Sequence, residues 1–222
     1  MRKFYPSVDH DVLKSIVRRK IKDPDVLWLL DEIIDSADGI PIGNYLSQYF
    51  GNLYLTYFDH WMKEEKRCRY YFRYCDDIVV LHSNKEILHR LFREVEEYLS
   101  VNLRLSIKSD HQVFPVDRRG IDFLGYRFFH DYVLLRKSIA QRFKDKVLHI
   151  RRGWRNLKPG QIVNSIMSYW GWMQHGDCLN LARKYIDEEI QQIIIETCKT
   201  DGTRNPLRGA KWLKVTPTQK PR

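Results

Sequence analysis

Tyr70-Tyr71-Phe72-Arg73-Tyr74-Cys75-Asp76-Asp77-Ile78-Val79-Val80-Leu81 sets two adjacent carboxylates between two short runs of aromatic and β-branched residues, the composition that favours strands. Neighbouring side chains along a strand point to opposite faces. Asp76 and Asp77 can therefore serve one ion only if the chain turns at them, and a β-hairpin tipped with acid is the predicted element. Carboxylates on a rigid strand end are the hard oxygen donors that Mg²⁺ takes, its remaining positions being filled by water and phosphates. An ordinary polar turn is the competing reading of a lone Asp-Asp, and the rest of the chain decides between the two.

The 222 residues are 43% hydrophobic and contain no apolar run of bilayer length, so one large domain or two small ones are expected, with a sizeable core and no membrane partner. Met1-Arg2-Lys3-Phe4-Tyr5-Pro6 has no apolar signal segment behind its charges, which predicts a cytoplasmic location. Cys68, Cys75, Cys178 and Cys198 show neither a CxxC pair nor metal-ligand spacing and read as reduced thiols. The balance of 38 Lys and Arg against 28 Asp and Glu favours a polyanionic partner. Its distribution says more: nine basic residues and one acidic fall between Arg136 and Lys158, and six and one between Asp201 and Arg222.

Around the hairpin the periodicity alternates between helix and strand. Asp9 or Ser7 caps a helix with apolar positions Val12, Leu13, Ile16 and Val17, a reading preferred to a metal cluster at Asp9-His10-Asp11 because consecutive residues at a helix start diverge. Asp23 and Pro24 open a second helix with Gly39 as its stop. The loop Gly39 to Asn44 feeds a long helix bearing Leu46, Tyr49, Phe50, Leu53, Tyr54, Tyr57, Phe58 and Trp61, an aromatic stripe that faces a core. At its entrance Gly43, Asn44, Ser47 and Gln48 set small and amide-bearing residues where free N–H groups can meet an anion or a nucleotide. Asn84 caps the helix after the hairpin, Leu103 to Ile107 alternates as a strand that delivers Lys108, and Ile121 to Phe128 and Tyr132 to Leu135 read as strands about a turn at His130-Asp131. Three helices then follow, Ser138 to Asn156, from Pro159 through Trp170, and from Leu179 to Cys198, ahead of a basic tail.

This ordered set of segments resembles the palm and thumb of a reverse transcriptase. Phe4 to His10 resembles the family's first palm motif, Gly39 to Gln48 the loop-helix motif, Tyr74-Cys75-Asp76-Asp77 the Tyr-x-Asp-Asp box, Lys108 the lysine of the next motif, and Phe123-Leu124-Gly125-Tyr126 the primer-grip turn. The implied fold is α+β: a polymerase palm over 1–135, with a mixed, mainly antiparallel sheet and covering helices, an all-helical thumb over 136–200, and a flexible tail over 201–222. Ile42-Gly43 and Ser47-Gln48, and the later Ser168-Tyr169-Trp170-Gly171-Trp172, are similar to the reverse transcriptases of diversity-generating retroelements. That subgroup implies an RNA template, a DNA primer, deoxynucleoside triphosphates, copying that is error-prone at template adenines, and a small basic accessory protein.

The roles the resemblance implies are specific. Asp76 and Asp77 hold two Mg²⁺ ions, with Mn²⁺ as a substitute. Tyr5 is the gate against a ribose 2′-hydroxyl, Gly43, Ser47 and Gln48 line the nucleotide pocket, and Lys108 neutralises or protonates pyrophosphate. Arg151, Arg152 and Arg155 hold the template-primer duplex through its phosphates. One departure stands out, because the family's first palm motif opens with a catalytic aspartate five residues before the gate, and counting back from Tyr5 places it immediately ahead of Met1. A truncated polymerase lacking its fingers and inactive alone is the resulting expectation. A non-catalytic nucleic-acid-binding remnant and a group II intron maturase-like enzyme remain as alternatives.

Overall fold

Capping decides where the first helices start. Asp9 accepts from the Val12 amide at 3.1 Å and opens α1 (His10–Lys20), and Asp23 accepts from the Asp25 and Val26 amides and opens α2 (Pro24–Asp35), with Pro24 in the first turn. The computed structural model describes residues 1–201, apart from the side chains of residues 155, 159, 200 and 201, and the tail expected beyond 201 lies outside the described residues. These residues form two compact units that divide at 114/115.

In the first unit α3 (Ser47–His60) runs on into a π turn over Trp61–Glu65. It is followed by β1 (Tyr70–Tyr74), β2 (Asp77–Leu81) and α4 (Lys85–Leu103), the last capped by Asn84, whose Oδ1 accepts from the Glu86 amide at 2.7 Å. Phe50, Tyr54 and Phe58 of α3 pack with Leu13, Val17, Ile34 and Leu99 in one fully buried core. Burying such side chains contributes roughly 1.5–3 kcal/mol each. The aromatic stripe thus faces inward as its helical spacing predicts, except at Tyr49, which is 53% exposed.

Asp9 ties three elements of this unit together. Its carboxylate receives Arg104 at 2.6 Å, and its amide donates to Tyr54 Oη, which in turn donates to the Leu103 carbonyl at 2.7 Å. Burial opposes ionisation of Asp9, but the Val12 amide and Arg104 outweigh it and hold the carboxyl below its ordinary value. A carboxylate depressed in the folded state stabilises above its unfolded pKa and loses that contribution as pH falls through the folded value. Asp9→Ala should therefore cost about 1–2 kcal/mol in urea melts near pH 7, and the difference from wild type should shrink in melts below about pH 3.

Several expected elements differ. The segment from Leu103 to Ile107 does alternate in burial, with Leu103 and Leu105 in the core, yet it forms no ladder. Leu103 closes α4, Arg104 turns left-handed at φ 49°, and among the described residues the one strand-like rung is the Arg2 amide on the Ser106 carbonyl, 2.9 Å. Alternation states which face is buried and not whether a neighbouring strand exists. Both sheets among the described residues are small and wholly antiparallel, so no mixed sheet spans the first two-thirds. Gly39 does not stop α2, which ends at Asp35 with Ser36 as cap.

The second unit opens with a short helix, α5 (Val116–Arg119), and a three-stranded meander, β3 (Ile121–Phe123), β4 (Tyr126–Phe128) and β5 (Val133–Leu135). The run Ile121 to Phe128 is not one strand, because Leu124 and Gly125 both take positive φ, 50° and 82°, and fold it into a tight hairpin. Helix α6 (Lys137–Gly153) ends in a 3-10 turn over Trp154–Asn156, and α7 (Pro159–Met173) follows. The single helix expected from Leu179 to Cys198 is two, α8 (Leu179–Tyr185) and α9 (Glu188–Asp201). Asp187 breaks it by accepting from the Ile190 amide at 3.2 Å as a cap while pairing with Arg151. Phe143, Val147, Ile162, Ile166, Ile190 and Ile194 form this unit's own core, and the meander, expected with the first unit, shares it through Leu135.

Candidate active site

The acid-tipped hairpin forms as its composition predicts. Tyr74 pairs with Asp77 across the strands, leaving Cys75 and Asp76 as a two-residue turn. Cys75 takes φ 49°, a left-handed conformation that costs a non-glycine residue about 1–2 kcal/mol. Strand alternation sends Tyr71 and Arg73 inward, with Tyr71 7% exposed, while Tyr70, Phe72 and Tyr74 are about half exposed on the other face. By register Asp77 shares that open face, whereas Asp76 is half-buried at the turn.

Two of the expected partners come to this turn. Burial raises the Tyr5 phenol above its ordinary pKa, and the Cys75 thiol beside it, then Asp76 and Tyr74, add to the rise. Tyr5 is therefore close enough to Asp76 for that charge to act on its phenol. Its ring rests on α3, where a Cβ on Gly51 would lie 3.4 Å from it, and its carbonyl accepts from the Ile40 amide at 2.8 Å. Lys108 is exposed and near enough to the Met1 amino group to act on it.

That amino group is a feature the sequence did not announce. It donates to the Asp76 carbonyl at 3.0 Å. Burial pulls its pKa below the ordinary value, with Asp76 opposing and Lys108 adding to the fall. The charges of Asp76 and Asp77 both act on this group, while its hydrogen bond goes to the Asp76 backbone carbonyl. Asp76 and Asp77 fit Mg²⁺ in kind, since one or two carboxylates with water and phosphate suffice for that ion, but among the described residues no group of three His, Cys, Asp or Glu converges on a site. His10 takes no part: its ring nitrogens lie 2.8 Å from the Gly39 carbonyl and 3.2 Å from Asp35.

The residues expected to line a nucleotide divide. Gly43, at φ 91° with open space around it, and Gln48 are exposed at the entrance of α3. Gln48 precedes Gly51 by three residues, so it lies one turn back on the face that carries Tyr5. Ser47 is instead buried, 5% exposed, and its hydroxyl donates to the Pro41 carbonyl, which makes it a brace for the loop.

In the second unit the turn Phe123-Leu124-Gly125-Tyr126 is fastened to α7. A Cβ on Gly125 would meet the Trp172 ring at 2.4 Å, and Tyr126 Oη donates to the Trp172 carbonyl at 2.8 Å. Arg151 is committed to Asp187 and has Nε 2.9 Å from Glu189 Oε2. Arg152 is exposed, and the side chain of Arg155 lies outside the described residues. No helix among the described residues is long and apolar enough to cross a membrane. Compared with known proteins, residues 1–128 match the family model for reverse transcriptase (RNA-dependent DNA polymerase), more than half of the 222 residues. No curated protein matches the chain.

Proposed function

Because the chain belongs to the reverse transcriptase (RNA-dependent DNA polymerase) family, we propose that residues 1–114 carry the palm chemistry of nucleotidyl transfer on an RNA template with a DNA primer. The observation that carries this reading is the Asp76-Asp77 turn with Tyr5 beside it. Asp76 and Asp77 hold divalent metal, and what Mg²⁺ supplies at such carboxylates is charge neutralisation on the reacting phosphate oxygens. Tyr5 excludes a ribose 2′-hydroxyl by stacking under the sugar. Gly43 and Gln48 line the nucleotide, and Lys108 offsets the charge of departing pyrophosphate. The meander carries the primer grip at Phe123 to Tyr126 as the end of a palm over 1–135, and the helices over 136–200 form the thumb. Ile42, which is 84% exposed, and Gln48 stand where Gln and Pro are usual in the family, which supports a diversity-generating retroelement as origin, with loosened nucleotide selection and a basic accessory protein as partner.

Duplex binding by the basic helix α6 is the part testable on the 222-residue chain. An RNA–DNA duplex should bind with an affinity that falls by an order of magnitude or more between roughly 50 and 200 mM salt, through counterion release. Replacing Arg152 with Lys144 and Lys146 by Ala should reduce the slope of that dependence, while Arg151→Ala should act through folding by freeing Asp187. A flat salt response, measured by fluorescence anisotropy, sinks the assignment. The reading as a non-catalytic nucleic-acid binder is favoured by the basic balance of 38 Lys and Arg against 28 Asp and Glu, and primer extension separates the two.

A further inference from the structure

One charged side chain behind the hairpin has no place in the assignments above. Arg73 is 11% exposed and uses all three guanidinium nitrogens. Nε donates to Asp59 Oδ1 at 2.7 Å and Nη2 to Asp59 Oδ2 at 2.5 Å, a bidentate pair, while Nη1 donates to Asn52 Oδ1 at 3.2 Å and to the Cys75 carbonyl at 3.0 Å. Tyr71, two residues back on the same inward face, donates to Asp59 Oδ1 at 2.6 Å. Burial and the Asp59 contact both push its phenol up, which keeps it a donor at any ordinary pH. Asn52 and Asp59 are seven residues apart on α3 and so present one face.

The Cys75 carbonyl belongs to the residue at φ 49°, a backbone state that persists only where its surroundings over-determine it. We infer that Arg73 is a positioning residue: by clamping the Cys75 carbonyl to α3 through Asp59 and Asn52, it sets the strained turn and with it the direction of the Asp76 carboxylate. The helix that supports Tyr5 at Gly51 thereby also supports the acid turn, so gate and carboxylate share one rigid reference. A planar fork with fixed donor directions can hold a carboxylate and a carbonyl at once, and a lysine ammonium cannot reach both. This inference rests on the reading of Asp76 as a metal ligand.

The test uses Mn²⁺ as probe, titrated into the 222-residue chain while the amide resonances of residues 70–81 are followed for paramagnetic broadening, with hydrogen exchange of the same amides measured in parallel. Arg73→Lys should speed exchange in the hairpin about tenfold and shift the broadening midpoint to about tenfold more Mn²⁺. Tyr71→Phe, which leaves the Cys75 contact in place, should change either by less than about threefold. Should Arg73→Lys not fold, Asp59→Asn carries the test with the same reading, because it loosens the fork while keeping its shape. Faster exchange with an unchanged Mn²⁺ midpoint makes Arg73 a fold residue and overturns the positioning role, as does wild-type behaviour in both. Broadening that survives Asp76→Asn removes the metal-ligand reading by itself, and the exchange rates still decide whether Arg73 sets the turn.

Discussion

Asp76→Asn should lower Mg²⁺-dependent primer extension by roughly a thousandfold or more, about 4 kcal/mol of lost transition-state stabilisation, in a form of the chain extended upstream to carry an aspartate five residues ahead of Tyr5. The 222-residue chain itself should extend a primer no faster than background. Two carboxylates on one turn repel each other, and a divalent cation held between them lowers the cost of keeping both ionised. In the 222 residues the Met1 ammonium, whose N–H donates to the Asp76 backbone carbonyl, is close enough to feel the charges of Asp76 and Asp77. An upstream extension removes this cation and adds a carboxylate in one step. Incorporation of a single deoxynucleotide on an RNA template, followed by gel, reads both arms. Robust extension by the 222 residues alone would show that the catalytic carboxylates are wrongly placed.

The second large effect is on stability. Gly39 sits at φ 69°, and a Cβ there would lie 2.2 Å from the Tyr5 carbonyl and 2.7 Å from the Pro6 backbone. The two sides are tied together, because the Tyr5 carbonyl accepts from the Ile40 amide and the Gly39 carbonyl accepts from His10. Gly39→Ala should therefore cost about 3 kcal/mol or more, left-handed strain and backbone displacement together. Gly43→Ala is the comparison, since φ is 91° there but nothing stands within 4 Å of the added methyl, and it should cost only about 1 kcal/mol. Urea melts of the two variants side by side give the difference. Equal losses would mean that the packing of Gly39 on Tyr5 contributes nothing beyond its dihedral.

What was legible in the chain was what short range decides. The hairpin from Tyr70 to Leu81 and the caps Asp9, Asp23 and Asn84 depend on residues within a few positions of one another, and each forms as predicted. The failures depend on distant partners. Leu103 to Ile107 has the pattern of a strand but, among the described residues, no strand beside it. The break between α8 and α9 needs Asp187, whose partner Arg151 is 36 residues earlier. Arg73 was missed for the same reason: its signal was a lone charge in an apolar strand, at the alternate position shared with buried Tyr71, but Asp59 and Asn52 lie in another element. The split of Ile121 to Phe128 turned on Leu124, a residue that seldom takes positive φ.

The fastening of the Leu124-Gly125 hairpin bears on how the polypeptide can be cut. Trp172 fills the space beside Gly125, and Asp177 binds β5 twice, its amide to the Val133 carbonyl at 2.7 Å and its carboxylate from the Val133 amide at 2.8 Å. Scissors placed after residue 135, where motif order alone would put them, would leave Trp172 uncovered on one fragment and a bare three-stranded meander on the other. Two- and three-stranded sheets without such a backing are marginal in water. A division between residues 114 and 115 keeps every one of these bonds within a single piece, and that is where separately expressed halves should begin and end.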